Sequence, residues 1–183
     1  GKSTFVKAIM GDQNLESSGS IYVGPSVKIG YIPQVIEFED ENKTLYEYFS
    51  RSVGLPEEKS RSILARFKFK GDFINKRLKN LSGGERMRIK LAELLQQEVN
   101  TLIFDEPTNH IDIPTKEVFE EALDDFGGTL IFVSHDRFFI NKYANKVIVF
   151  ENRKTKEYIG NYDSYKETIA KTAEKEEKKL YKN

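Results

Sequence analysis

Apolar residues recur along the chain in two patterns. In several segments they return at helical spacing. Residues 3–10 put Phe5, Ala8 and Ile9 on one side before Gly11 stops the pattern. Residues 44–52 and 56–69 predict two short helices parted by the breakers Gly54 and Pro56. From Gly83 to about Gln97, Met87, Leu91, Leu94 and Leu95 keep helical spacing, and 115–126 predicts another helix. The second pattern is the unbroken apolar run: "NTLIF" (100–104), "GTLIFVSH" (128–135) and "KVIVF" (146–150). Such runs suit strands covered on both faces of a parallel sheet. "GSIYVGPSVKIGYIPQ" instead alternates around Gly24-Pro25, which predicts a small antiparallel strand pair ending at Gln34. Asp136 is placed to cap a helix after the second run. Strands alternating with helices predict an α/β fold, three layers around a largely parallel sheet. Residues 162–183 are dense in Lys and Glu and predict a solvated helix or a disordered tail.

Composition narrows this only a little. At 183 residues the chain is long enough for one domain with a sizeable core and short for two. Its 29 basic and 29 acidic residues leave no net charge, so no global field draws it to nucleic acid or an anionic membrane. The absence of cysteine excludes disulfides and thiolate metal sites and fits a cytoplasmic protein. No apolar run reaches the ~18 residues of a membrane span, so no membrane insertion is expected. The first residues do not read as a signal peptide.

The chemistry lies at the ends of the runs. Gly1, Lys2, Ser3 and Thr4 match the last four positions of a phosphate loop, G-x-x-x-x-G-K-[ST], whose backbone amides cradle phosphate at a helix N-terminus. Asp105 and Glu106 are adjacent carboxylates at the end of a buried strand, where α/β sheets bind ligands. His135 ends another such strand, and Gln34 follows "GYIP". Ser82 with Glu85 three residues on forms a capping box. Gly83 and Gly84, which that box does not require, allow an anion to approach the positive end of the helix dipole. Taken singly, each of these has a plain structural explanation.

Together, "GKST", "YIPQ", "LSGGE", "TLIFDEPTNHID" and "VSHD" resemble, in this order, the nucleotide-binding domain of the ABC ATPase superfamily. The resemblance implies a P-loop NTPase fold with a short helical insert at about 35–97, and a domain running from residue 1 to 165 ahead of a charged tail, 166–183. "DEPTNHID", "SHDRFFIN" and "YIGNYDSY" resemble the ABC-F subfamily, proteins with two such domains in tandem, of which this is similar to the second. The implied ligands are ATP and Mg²⁺. Gly1, Lys2, Ser3 and Thr4 would hold phosphates, with Ser3, Gln34 and Asp105 around the metal. Glu106 would be the general base and His135 the γ-phosphate sensor. Asp112 matches a loop that crosses between domains. Ser82, Gly83 and Gly84 would cover the ATP of the partner domain in a head-to-tail pair, within one chain or in a dimer. ATPase activity, a ribosome or rRNA partner, and a role in translation or in antibiotic resistance by ribosome protection are implied. The ATPase subunit of a membrane transporter and a non-catalytic binding domain are the alternatives. The front of the phosphate loop, the strand before it and an upstream aromatic for adenine are not in the sequence. The expectation is a piece cut at a motif boundary that by itself binds ATP poorly and does not hydrolyse it.

Overall fold

A computed structural model of the chain describes residues 1–12, 15, 18–108, 111–152 and 154–180, with side chains through Glu174. Two of the three apolar runs pair at its centre. Strands β1 (Ile29–Ile32), β2 (Thr101–Asp105) and β3 (Thr129–Val133) form a parallel sheet in that order, with Ile32 and Phe132 both level with Phe104. All five residues of β2 are buried, the environment an unbroken run requires. Side chains then sort by parity. Leu102 and Phe104 of β2 enter the larger core, while Ile103 meets Val6 and Val133 on the opposite face.

The helices are α1 (Lys2–Ile9), α2 (Leu45–Val53), α3 (Glu57–Arg66), α4 (Gly83–Leu94), α5 (Ile113–Asp124), α6 (Arg137–Tyr143) and α7 (Tyr162–Leu180). Helix α1 covers the Ile103 face through Val6. Helices α4, α5 and α6 cover the other, where Phe104 meets Phe119 edge-on at 5.2 Å and Phe119 stacks on Phe139 at 5.9 Å. Helices α2 and α3 extend this core with Leu45, Phe49 and Leu64, each with no exposed surface. Full burial of one such side chain is worth ~1.5–3 kcal/mol.

The structure departs from the sequence reading in several places. The antiparallel pair is not at 19–34. Residues 20–28 form no strand, Ile21 and Tyr22 are exposed, and only Ile29–Ile32 is extended, because it finds β2 as a parallel partner. The small antiparallel sheet is instead β4 (Lys146–Glu151) with β5 (Lys154–Ile159), so "KVIVF" lies outside the parallel sheet. Glu151 opposes Lys154 with two residues between, and Asn152 has φ +50°, the backbone of a tight hairpin. Helix α3 ends at Arg66 and not at 69. Lys68 turns left-handed at φ +64°, and the Phe69 amide closes back on the Leu64 carbonyl at 2.9 Å.

Strand β3 is less covered than its apolar run predicts. Only Val133 is buried, because Thr129–Val133 lines a cleft of about 360 Å³ together with Lys2, Phe5 and Phe150. Within 162–180 the chain is helical, started by Asn161, whose side chain accepts from the Ser164 amide at 3.1 Å. Residues 181–183 lie outside the described residues. No helix among the described residues is long and apolar enough to cross a membrane.

Candidate functional site

Parallel pairing in register brings the C-terminal ends of β1, β2 and β3 to one edge of the sheet. Asp105 and Glu106 leave β2 there, Ser134 and His135 follow β3, and Gln34 lies two residues past β1. By parity Asp105 shares the α1 face with Ile103. It is buried, and the Ser3 hydroxyl donates to its Oδ1 at 3.1 Å. Tyr31 reaches the same face from β1, and its phenol pKa is raised by burial and then by the Asp105 charge. Gly1, Lys2 and Thr4 are exposed at the start of α1, with Lys2 on the cleft that runs along β3 to Ser134.

Glu106 is held in an unusual way. Its amide donates across to the Val133 carbonyl at 2.8 Å, and its backbone sits at φ +54°, uncommon for a residue with a side chain. Its side chain is only 10% exposed. Oε1 lies 3.3 Å from Nε2 of His135, whose side chain is 73% exposed. Oε2 is buried with no hydrogen-bond partner, a feature shared among the described residues only by Nε of Arg88. A buried polar atom left unpaired costs ~1–3 kcal/mol, more for a charge. Beside it the Ser134 hydroxyl accepts from the Asp136 amide at 3.0 Å and lies 3.4 Å from Oγ1 of Thr108.

Beside the His135 imidazole, the oxygen donors at this edge are a hydroxyl, a buried carboxylate and a second carboxylate with a free lone pair. That chemistry fits a hard divalent cation such as Mg²⁺ and a phosphate chain carrying it. Ser3 and Asp105 are joined, and so are Glu106 and His135. Gln34 is exposed and makes no hydrogen bond to Ser3 or Asp105 among the described residues.

Ser82, Gly83 and Gly84 start α4. Both halves of the capping box are present: Ser82 N donates to Glu85 Oε2 at 2.7 Å, and Glu85 N to Ser82 Oγ at 3.3 Å. Lys76 adds a bond to the same Oε2 at 2.9 Å. The two glycines differ. Around Gly83 a Cβ would meet nothing within 4 Å, whereas at Gly84 it would lie 3.1 Å from Oγ1 of Thr115 on α5. Gly83 therefore leaves the helix start open, and Gly84 lets two helix starts pack together. Asp112 is the N-cap of α5, accepting from Thr115 N at 2.8 Å, and that residue's bonds hold its carboxyl below the usual range. Sequence reasoning missed Tyr31, Thr108, Ser134, Lys76 and Thr115. All act through pairings that no local pattern announces.

This edge and this fold belong to an ATP-binding cassette. The family model described as ABC transporter matches residues 1–109, and the chain belongs to that family, with the mixed α/β architecture of an ABC-type P-loop NTPase. Within it the cassette is of the ABC-F type. It is 45% identical over 168 residues to YdiF of Bacillus subtilis, covering 91% of this chain and 26% of that protein. It is 39% identical over 178 residues to the energy-dependent translational throttle protein EttA of Escherichia coli, covering 94% of this chain and 32% of that one. ABC transporter F family member 5 of Arabidopsis thaliana is 37% identical over 170 residues, covering 91% and 24%. The chain thus spans about a quarter to a third of these relatives. Among solved structures, RNase-L Inhibitor superposes with a TM-score of 0.68 at 23% identity, covering 93% of this chain and 35% of that one. The archaeal ribosome recycling factor aABCE1, in complex with a ribosomal stalk protein, gives 0.66 at 22%, covering 93% and 34%. At that identity the likeness is one of fold.

Proposed function

We propose that the chain is an ATP-hydrolysing cassette of an ABC-F protein that acts on the ribosome, paired head-to-tail with a second cassette. The observation that carries this is Glu106, whose buried Oε2 has no partner at the sheet edge that also holds Ser3 and Asp105. A carboxylate in that position accepts a proton from water as the water oxygen bonds to the γ-phosphorus and the bond to the β-phosphate bridging oxygen breaks. The ADP and phosphate leave with the proton balance restored through the new phosphate. Ser3, Gln34 and Asp105 would hold Mg²⁺, which supplies charge neutralisation of the phosphates. Lys2 and the amides of Gly1, Ser3 and Thr4 orient the chain of phosphates, and His135 reaches the γ-phosphate from beside Glu106. Ser82, Gly83 and Gly84 face the ATP of the other cassette, and Asp112 faces the junction.

In this reading the cassette spans residues 1–165, with the helical insert at about 35–97 and a charged extension at 166–183. It is the second of the tandem. The name of the relative EttA speaks of translational throttling, and the aABCE1 complex of a ribosomal stalk protein, which supports translation over antibiotic resistance. The protein works in the cytoplasm. The test uses the intact protein that carries this chain. Mg-ATP should bind, turn over and change the fraction that sediments with ribosomes, and Lys2→Ala should abolish binding at this cassette. Sedimentation indifferent to nucleotide would remove the ribosomal role, and ATP binding unaffected by Lys2→Ala would remove the phosphate site.

A further inference from the structure

Arg86, one turn into α4, has a side chain that neither the capping box nor the sheet edge accounts for. All five of its N–H donors are engaged. Nη1 and Nη2 bind the two oxygens of Glu41 at 2.7 and 2.6 Å as a fork. Nη1 also donates to the Ile36 carbonyl at 3.2 Å, Nη2 to that of Leu78 at 3.0 Å, and Nε to that of Leu81 at 3.4 Å. The guanidinium lies 5.4 Å from the ring of Phe38, itself buried edge-on against Tyr48. Backbone bonds run beside the fork: Lys79 N to Glu41 O at 3.0 Å, Leu78 N to Lys43 O at 3.0 Å, and Leu45 N to Lys76 O at 2.9 Å. Residues 36–45 and 76–86 are therefore one body. Gln34 hangs two residues from one end of it, and Ser82 follows Leu81 at the other.

We propose that the Arg86–Glu41 fork is a positioning pair that ties the segment after Gln34 to the Ser82–Gly84 turn, so that what Gln34 engages at the sheet edge sets how the turn faces the neighbouring cassette. It rests on the nucleotide reading of that edge. The choice of residues supports a geometric role. An apolar pair of similar volume holds two segments together as well as an ion pair does. A planar guanidinium on a carboxylate also fixes their mutual orientation, which a lysine, a point charge, does not. With side chains 18% and 35% exposed, the pair is shielded enough to keep that geometry.

The test compares the intact protein with its Arg86→Lys variant, which keeps charge and stem and loses the fork. Amide hydrogen exchange is followed with and without a non-hydrolysable Mg-ATP analogue, alongside kcat and KM. In the parent the analogue should slow exchange over both 34–41 and 82–86. In Arg86→Lys the protection should persist over 34–41 and disappear over 82–86, with kcat lowered on the order of tenfold and KM changed by less than about twofold. Protection retained in both segments with kcat unchanged overturns the proposal. So does fast exchange over 82–86 in Arg86→Lys without nucleotide together with a lowered Tm, the sign of a merely structural bond. An analogue that protects neither segment in the parent overturns the nucleotide reading itself, and the proposal with it.

Discussion

At the end of β2, one carboxylate oxygen of Glu106 is buried without a partner, and its backbone sits in the left-handed region at φ +54°. At the start of α4 the capping box is closed on both sides, Lys76 adds to it, and all five donors of Arg86 are used. The two regions carry similar residue types, yet in one a buried carboxylate oxygen lacks a partner, while in the other the side chains of Ser82, Glu85 and Arg86 are all paired. Unpaired polar groups and strained backbone persist only where the surroundings enforce them, and a ligand that supplies the missing donor relieves the cost. Side chains paired in this way fix the shape of the turn before anything meets it, and leave the first-turn amides of Gly83 and Gly84 to bond a ligand. The sheet edge is built to receive, the α4 turn to present.

The largest effect expected from this contrast is at Glu106. In the intact protein, Glu106→Gln should lower hydrolysis by this cassette ~10²–10⁴-fold while ATP binding is kept, since a general base acts on water and not on ground-state phosphates. The same change replaces a carboxylate with one buried, unpartnered oxygen by a neutral amide, so thermal stability without nucleotide should stay equal or rise. Unchanged turnover, or a marked fall in Tm, would break the contrast at its stronger end.

The second effect separates the two glycines. Gly84→Ala forces a methyl against the buried Thr115, which is fixed at the start of α5 by its bonds with Asp112, and should cost ~1–3 kcal/mol in denaturant unfolding. Gly83→Ala meets open space and gains helix propensity, so stability should move by less than about 1 kcal/mol in its favour. If Gly83 lies against a neighbouring cassette's phosphates, that variant of the intact protein nevertheless loses turnover. Equal stability losses at both positions would mean that the turn is not built as described.

Much of this was legible in the sequence where the signal is local. The helix starts at Ser82 and Asp136 follow from short side chains that cap, and β2 follows from five apolar and flanking residues in a row. The antiparallel ribbon was misplaced because β5 carries Lys154, Lys156 and Glu157, which hide a strand behind charge, whereas the alternation at 19–34 imitates one. In the site, residue types at strand ends pointed to Asp105, Glu106 and His135. The positive φ of Glu106, the Ser3–Asp105 bond and the Thr115 contact that requires Gly84 depend on residues far apart in the chain, and no spacing rule reaches them.

The smallest effect concerns acid. The bond from Arg86 is the main cause that holds Glu41 below its ordinary value of 4.5. A depressed folded-state pKa means that between the folded and unfolded values the unfolded chain binds more protons, so stability rises with pH there. The contribution is present above about pH 4.5 and is lost as pH falls through the lowered folded value. Glu41→Gln removes it at every pH. At about neutral pH the variant should be less stable by ~0.2–1 kcal/mol, a modest figure because the pair is partly open to solvent. That difference should shrink toward zero as the pH is lowered past the folded pKa, followed by Tm or urea unfolding of both proteins in parallel. A gap that stays constant on acidification would mean that Glu41 holds the segment by shape and not by charge, and the fork would lose its standing as the feature that fixes the α4 turn.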